Sequence, residues 1–145
     1  MADEIRIGRI SSVNISKGMA RVTYPDRDDA VTADLPLLAH EYQMPKIGDI
    51  VLVLHMPGGH ENGVIIGKIY AESQLPDKVG KDVYQKIFDS KSQIYTSAGS
   101  VTLEADKLAV KTAGGITISS SGGSLMLSDQ SGSISLASII GHIGG

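Results

Sequence analysis

Residues 101–136 read VTLEADKLAVKTAGGITISSSGGSLMLSDQSGSISL. Apolar residues recur in this stretch as pairs two positions apart: Val101 and Leu103, Leu108 and Val110, Ile116 and Ile118, Leu125 and Leu127, Ile134 and Leu136. Successive pairs lie seven, eight, nine and nine residues apart. Side chains alternate across a strand, so period-two spacing is that of a strand with one buried face. Between the pairs stand Glu104-Ala105-Asp106, Ala113-Gly114-Gly115, Ser120-Ser121-Gly122-Gly123 and Asp129-Gln130-Ser131-Gly132, residue types that favour turns. Composition alone would suggest a flexible linker, because residues 98–145 hold nine glycines, ten serines and only five of the 29 charges. The spacing instead predicts an internal repeat of short strands and tight turns.

One repeat offers two or three apolar side chains against the entropy of ordering its residues, roughly 1–2 kcal/mol for each. A stretch of about 50 residues with neither disulfide nor metal cage is at the lower limit for folding alone, and the chain has no cysteine. Repeat folds bury each unit against its neighbours, and the most economical neighbours are other copies of the same chain. The repeat therefore predicts a homo-oligomeric β-helix or β-prism, most simply a homotrimer. Its trimer core would be Val101, Leu103, Leu108, Val110, Ile116, Ile118, Leu125, Leu127, Ile134 and Leu136. The intervening Thr102, Ala109, Thr117, Met126 and Ser135 would point outward, and being mostly small they would keep a shaft narrow. A monomeric up-and-down sheet is the alternative.

The first half has a different organisation. Strands are expected over residues 5–14, 19–24, 30–35, 50–55 and 63–70, with a single helical turn at 37–42; five short strands at this spacing suggest a small barrel. Residues 71–90, with Pro76 and the charges between 77 and 82, form a connector that returns to strand near 83–88. Aromatic residues make up only 4% of the 145, so the core must be built mainly from Val, Ile and Leu.

Several function classes are disfavoured. A net charge of −3 without any Lys/Arg cluster gives no electrostatic footprint for nucleic acid, and no nucleic-acid binding is expected. No Gly-x-Ser-x-Gly elbow and no Ser, His and Asp set is present. Gly58-Gly59 and Gly114-Gly115 lack a following Gly-Lys-Ser/Thr and are not phosphate loops. Asp28-Asp29 sits in a polar loop, and the chain is expected not to be an enzyme. His55 and His60 flank residues 56–59 without a thiol or carboxylate at ligand spacing, so the segment is taken as the hairpin loop between two barrel strands; His40 is taken as a surface residue of the short turn. Residues 1–10 carry alternating charges rather than an apolar secretory core, and no run of about 18 apolar residues occurs. The protein is thus expected to be made in the cytoplasm without a signal peptide.

The run Pro45-Lys46-Ile47-Gly48-Asp49-Ile50-Val51-Leu52-Val53-Leu54, then Gly58-Gly59, then Asn62-Gly63-Val64-Ile65-Ile66-Gly67-Lys68-Ile69-Tyr70, resembles the OB-fold core of the phage baseplate assembly protein V family. That family comprises the central spikes of contractile phage tails and tailocins, and is related to the valine-glycine-repeat spike of type VI secretion. Phe88-Asp89-Ser90-Lys91-Ser92-Gln93-Ile94-Tyr95 resembles the strand entry into the family's spike domain. The resemblance spans essentially the whole chain. It implies an all-β protein: an N-terminal OB-fold collar at 1–71, a connector at 72–90, and a C-terminal trimeric intertwined β-helix or β-prism spike with its tip at 91–145. It further implies a structural, membrane-puncturing role at the end of the tail tube, driven through the target cell envelope when the sheath contracts. The implied partners are baseplate hub and tail tube proteins and, transiently, the envelope; the implied place of assembly is the baseplate of a phage tail or phage tail-like particle.

Many members of the family carry a His-x-His pair near the tip that surrounds a buried iron. Here His142 stands between Ile140 and Gly144, so three copies would offer three imidazole nitrogens for one Fe or Zn ion per trimer. Alternatively His142 is an exposed terminal residue, or a separate small tip protein caps the needle. Two other functions compete. An OB-fold oligonucleotide-binding module with a β-repeat oligomerisation tail would need aromatics and a basic groove, and the chain has six aromatics and no basic cluster. An envelope-degrading enzyme would need a lysozyme-like domain, for which 145 residues leave no room.

Overall fold

The computed structural model describes residues 4–58 and 62–143, the side chains of 142 and 143 excepted. Among the described residues the chain is mostly β, with three single-turn 3₁₀ helices and one short α-helix near the C-terminus, and it divides into two compact units, one ending at Asp106 and one beginning at Lys107. The first unit therefore extends past residue 91, where the spike was expected to begin.

Burial in the first unit follows sequence alternation. Along β1 (Ile5–Asn14) Arg6, Gly8 and Ile10 face inward; along β2 (Met19–Tyr24) Ala20, Val22 and Tyr24 do the same. On β5 (Ile50–His55) the inward residues are Val51, Val53 and His55, and on β6 (Gly63–Lys68) Ile65. The antiparallel order is β3-β2-β1-β5-β6, where β3 is Ala30–Val31. Two short contacts bring the ends of this sheet together. β4 (Leu35–Pro36) pairs with β2, and the next residue, Leu37, bridges in parallel to Ile65 of β6. The core of Ile10, Ala20, Val22, Tyr24, Leu35, Val51, Val53 and Ile65 lies inside the resulting curl. Gly8 permits the tight curvature: a Cβ there would stand 2.4 Å from Val22 Cγ1 and 2.8 Å from the Thr23 carbonyl oxygen.

The expected third strand is broken in two by Thr32. Its amide donates to the Val22 carbonyl at 2.9 Å and its hydroxyl accepts from the Val22 amide at 3.0 Å, so a side chain replaces one rung of the ladder. The expected helical turn at 37–42 is instead the bridge at Leu37 followed by a non-helical turn at 39–40. The bridge supplies β-type pairing where a helix would need hydrogen bonds within the segment.

After the connector the first unit adds a second sheet. β7 (Gln85–Ile87), β8 (Gln93–Ser97) and β9 (Ser100–Glu104) are antiparallel neighbours. The β8–β9 hairpin turns on Ala98 and Gly99, with φ of 48° and 83°, the two successive positive values that match the right-handed strand twist. Gln43 Nε2 donates to the Ile87 carbonyl at 3.0 Å, and the Lys86 ammonium pairs with Glu41, fastening β7 to the loop of the curled sheet.

In the second unit, β10 (Met126–Asp129) and β11 (Gly132–Ser135) form a hairpin. Asp129 Oδ1 accepts from the Ser131 amide at 2.7 Å and from its hydroxyl, closing the turn. Leu108, Val110, Ile116 and Ile118, expected in strands, lie in a segment that forms no strand within the single chain. Leu136, expected to end a strand, instead opens helix α1 (Leu136–Ile143). The reason is local: the Ser135 hydroxyl accepts from the Ser138 amide at 3.1 Å, an N-cap that stops the strand and starts the helix. Among the described residues no helix is long and apolar enough to cross a membrane.

Candidate assembly faces

Polar groups inside the curled sheet hold one another. Tyr24 Oη and His55 Nε2 are 2.6 Å apart, with the rings edge to face at 5.7 Å. The Arg6 guanidinium lies 4.3 Å from the Tyr24 ring centre and pairs with Asp26 at 3.2 Å. Burial pushes the Tyr24 hydroxyl above its ordinary value of 10.0, with Arg6 pulling the other way and Asp26 adding to the rise. His55 is the last residue of β5, at the edge of the hairpin loop as expected, and is 5% exposed. The strand alternation from Val51 carries it inward, where Tyr24 satisfies its ring nitrogen. His60 lies outside the described residues, with 59 and 61, whereas 56–58 of the β5–β6 loop are described and the Met56 amide donates to the Asn62 carbonyl at 2.9 Å. His40 is exposed in the 39–40 turn.

Asp49 accounts for the Pro-x-x-Gly-Asp run. Its carboxylate accepts from the Lys46 amide at 2.8 Å and pairs with Lys68 at 3.2 Å. The run is thus a turn closure before β5 and a clasp onto β6. Among the described residues no group of three His, Cys, Asp or Glu side chains stands close enough to hold a metal ion. His142 occupies the last turn of α1, and its side chain lies outside the described residues.

Three surfaces are apolar where a self-sufficient chain would be polar. The first is the outer face of the β1-β5-β6 sheet. Register places Ile5 opposite Leu54 and Ile7 opposite Leu52, with Val64 beside Leu54 and Ile50 completing the row. Ile5 and Ile7 are 62% and 58% exposed. This sheet is apolar on both sides. The unbroken run 50–54 carried that signal, because a half-solvated strand would alternate. Beside it, a cleft of about 620 Å³ is walled by Leu37, Leu38, Met44, Ile66, Ile87 and Phe88.

The second surface is one face of the β7-β8-β9 sheet. Cross-strand pairing puts Gln85, Gln93, Tyr95, Thr102 and Glu104, with Ile87, on one side and Ile94, Val101 and Leu103, with Lys86 and Thr96 at the β7 edge and hairpin end, on the other. The polar side is the better covered. Gln85 Nε2 donates to Asp77 Oδ1 at 2.7 Å and to Gln93 Oε1 at 2.6 Å, Gln93 Nε2 donates to Glu104 at 3.2 Å, and the Lys78 ammonium lies 4.5 Å from the Tyr95 ring centre. The Gln85 amide holds the Asp77 carboxyl below its ordinary range. Meanwhile Val101 and Leu103 stand 69% and 49% exposed. In the chain alone this sheet is inside out.

The third surface belongs to the β10–β11 hairpin, where Leu127 pairs with Ile134 on one face and Met126 with Ser135 on the other. Leu108, Val110, Ile116, Ile118, Leu127, Ile134 and Leu136 are all exposed, and Leu125 is half-buried. Among the ten residues expected to form a trimer core, none is buried within one chain. No family model matches the chain, and no curated protein matches it.

Proposed function

We propose that the chain is the homotrimeric central spike of a contractile phage tail or tailocin baseplate, a needle that punctures the target cell envelope on sheath contraction. The observation that carries this reading is the inverted β7-β8-β9 sheet. On its more polar side Gln85 and Tyr95 are met by Asp77 and Lys78, while on the other Val101 and Leu103 stand exposed beside half-buried Ile94, an arrangement that leaves apolar area in water unless other copies cover it. The repeat beyond it, with alternating apolar residues and no strand pairing within 107–124, has the same requirement. Copies wound about a common axis would supply both the apolar cover and the backbone partners. The six-stranded curled sheet, closed by the Leu37–Ile65 bridge, supports an OB-fold for the collar, with the outer β1-β5-β6 face available for contact between collars or with the hub.

Mechanically, the reading asks for stiffness rather than chemistry. Closed strand pairing leaves no free sheet edge, and small outward residues keep the shaft thin. Of the tip, only the place of His142 in the last turn of α1 is described, and the reading rests on strands and barrel alone. The test is native mass spectrometry with negative-stain imaging of the purified chain. A mass near 46 kDa, three times the 15.2 kDa chain, and particles with a narrow projection are expected; a stable monomer at micromolar concentration overturns the proposal.

A further inference from the structure

We infer that α1 is an assembly element in its own right, packing against α1 of the other copies along Leu136, Ile139 and Ile140, so that the β10–β11 hairpin is followed by a small helical cluster rather than by a further strand. The inference rests on the trimer reading. Four observations point to it. First, these positions follow the i, i+3, i+4 spacing that places residues on one side of a helix. Second, Leu136 and Ile140 on that side are 45% and 61% exposed in the chain alone, with Ile139 half-buried between them. Third, a helix of eight residues is too short to persist in water on its own hydrogen bonds, yet this one has a built start. Ser135 caps it, and the Leu136 amide donates to the Leu125 carbonyl at 2.9 Å, tying the first turn to the β10–β11 hairpin. Fourth, the sequence from 130 to 145 holds no charged residue.

The fourth observation selects the occupant. Identical copies can approach along an uncharged helix without repulsion, whereas a partner recognised by charge would find nothing to grip. The helix also follows without a linker on a hairpin whose Leu127–Ile134 pair needs the same cover. At 3.6 residues per turn, position 142 falls about 110° round the helix from the centre of the stripe.

The chain contains no cysteine, so a single introduced thiol reports without background. Ile140→Cys places one on the stripe, and Gly141→Cys places one on the far side of the helix, where nothing lies within 4 Å of the added Cβ. Both variants are oxidised and run on a non-reducing gel, with native mass measured in parallel. Covalent dimers from Ile140→Cys, at least fivefold above those from Gly141→Cys, are expected from samples that are trimeric by mass. Trimers in which the two thiols cross-link equally, or neither does, overturn the helical cluster while leaving the trimer standing; monomers overturn both. Amide exchange of residues 136–143 in the unmodified chain guards against a variant that fails to assemble. Protection at least tenfold over a free peptide is expected in the trimer, and free-peptide rates in a trimer overturn the inference. Sedimentation with phosphatidylcholine/phosphatidylglycerol vesicles that Ile140→Asp abolishes, without cross-linking, would assign the stripe to a bilayer and overturn it as well.

Discussion

The curled sheet and the C-terminal unit use the same period-two code and reach opposite results. In residues 5–68 alternation closes on itself, and eight apolar side chains, from Ile10 to Ile65, are buried within one chain. In the second unit, Leu108, Val110, Ile116, Ile118 and Leu127 alternate as regularly and are exposed. The difference lies in what each strand has beside it. β1 carries enough residues to serve two neighbours, β2 and β5, and Gly8 lets β2 close over it. The repeat strands are separated by Gly- and Ser-rich turns and have too few side chains apiece to enclose a core. Alternation thus reports that a face must be covered, without saying which chain covers it.

The contrast can be broken most sharply at Ile116. Ile116→Asp would place three charges in the shared core, and the cost of several kcal/mol per unpaired buried charge is expected to reduce the native mass to that of one chain while the circular dichroism of the first unit persists. Unchanged trimers would show that Ile116 does not face a core. Leu35→Ala, inside the curled sheet, is expected to cost about 2–5 kcal/mol. Its melting midpoint should not depend on protein concentration, whereas the transition assigned to assembly should rise with concentration. Gly8→Ala adds a single methyl group against Val22 and the Thr23 carbonyl, and an overpacking loss of about 1–3 kcal/mol is expected in the same melt. Ala98→Asn, at a positive-φ hairpin position that Asn tolerates better, is expected to stabilise the β8–β9 hairpin by about 0.5–1 kcal/mol, read as slower exchange of the β8 and β9 amides.

The smallest effect is shared by both units. Asp129 is held below its ordinary value of 3.8 by hydrogen bonds from the Ser131 hydroxyl and amide, and Asp34 is held below it by Arg21, 2.9 Å away. A carboxyl with a depressed folded value contributes fully above the unfolded value and loses its contribution as pH falls through the folded one. Asp129 is exposed and Asp34 about a third exposed, so only a slight local softening around each is expected below about pH 4, and Asp129→Asn should remove it from the β10–β11 hairpin alone. Amide exchange at pH 5 and pH 3 is the check.

Much of the fold is legible in the residues. The bounds of β1 and β2 follow from alternation, and those of β5 from an unbroken apolar run, punctuated by Gly18, Pro25 and Gly48. Three features were not legible, each for a physical reason. Thr32 breaks the third strand because its hydroxyl competes with the backbone for the Val22 amide, and only tertiary placement reveals that competition. His55 turns inward because a strand of even length puts its last residue on the buried side, and a lone histidine after five apolar residues gives no hint of its Tyr24 partner. Helix α1 is hidden because Ile134 and Leu136 continue the strand spacing, while the Ser135 cap and the 136, 139, 140 stripe overlap it in a different period. Of the candidate faces, the repeat was visible in the sequence. The inverted β7-β8-β9 sheet was not, since only the covering of Gln85 and Tyr95 shows which side is turned to solvent.

The meeting of Leu37 with Ile65 has a further consequence. The β1–β2, β1–β5 and β5–β6 junctions are ladders of five pairs each, but here a two-residue strand and a single bridge complete the circle. The ring has one clasp, and the cleft opens beside it. Thermal breathing will begin where the fewest bonds must part, so the amides of residues 35–38 should exchange before those of β1 and β5. A neighbour seated in that cleft would then act as a lock on the clasp, raising the stability of the whole ring by touching only its seam.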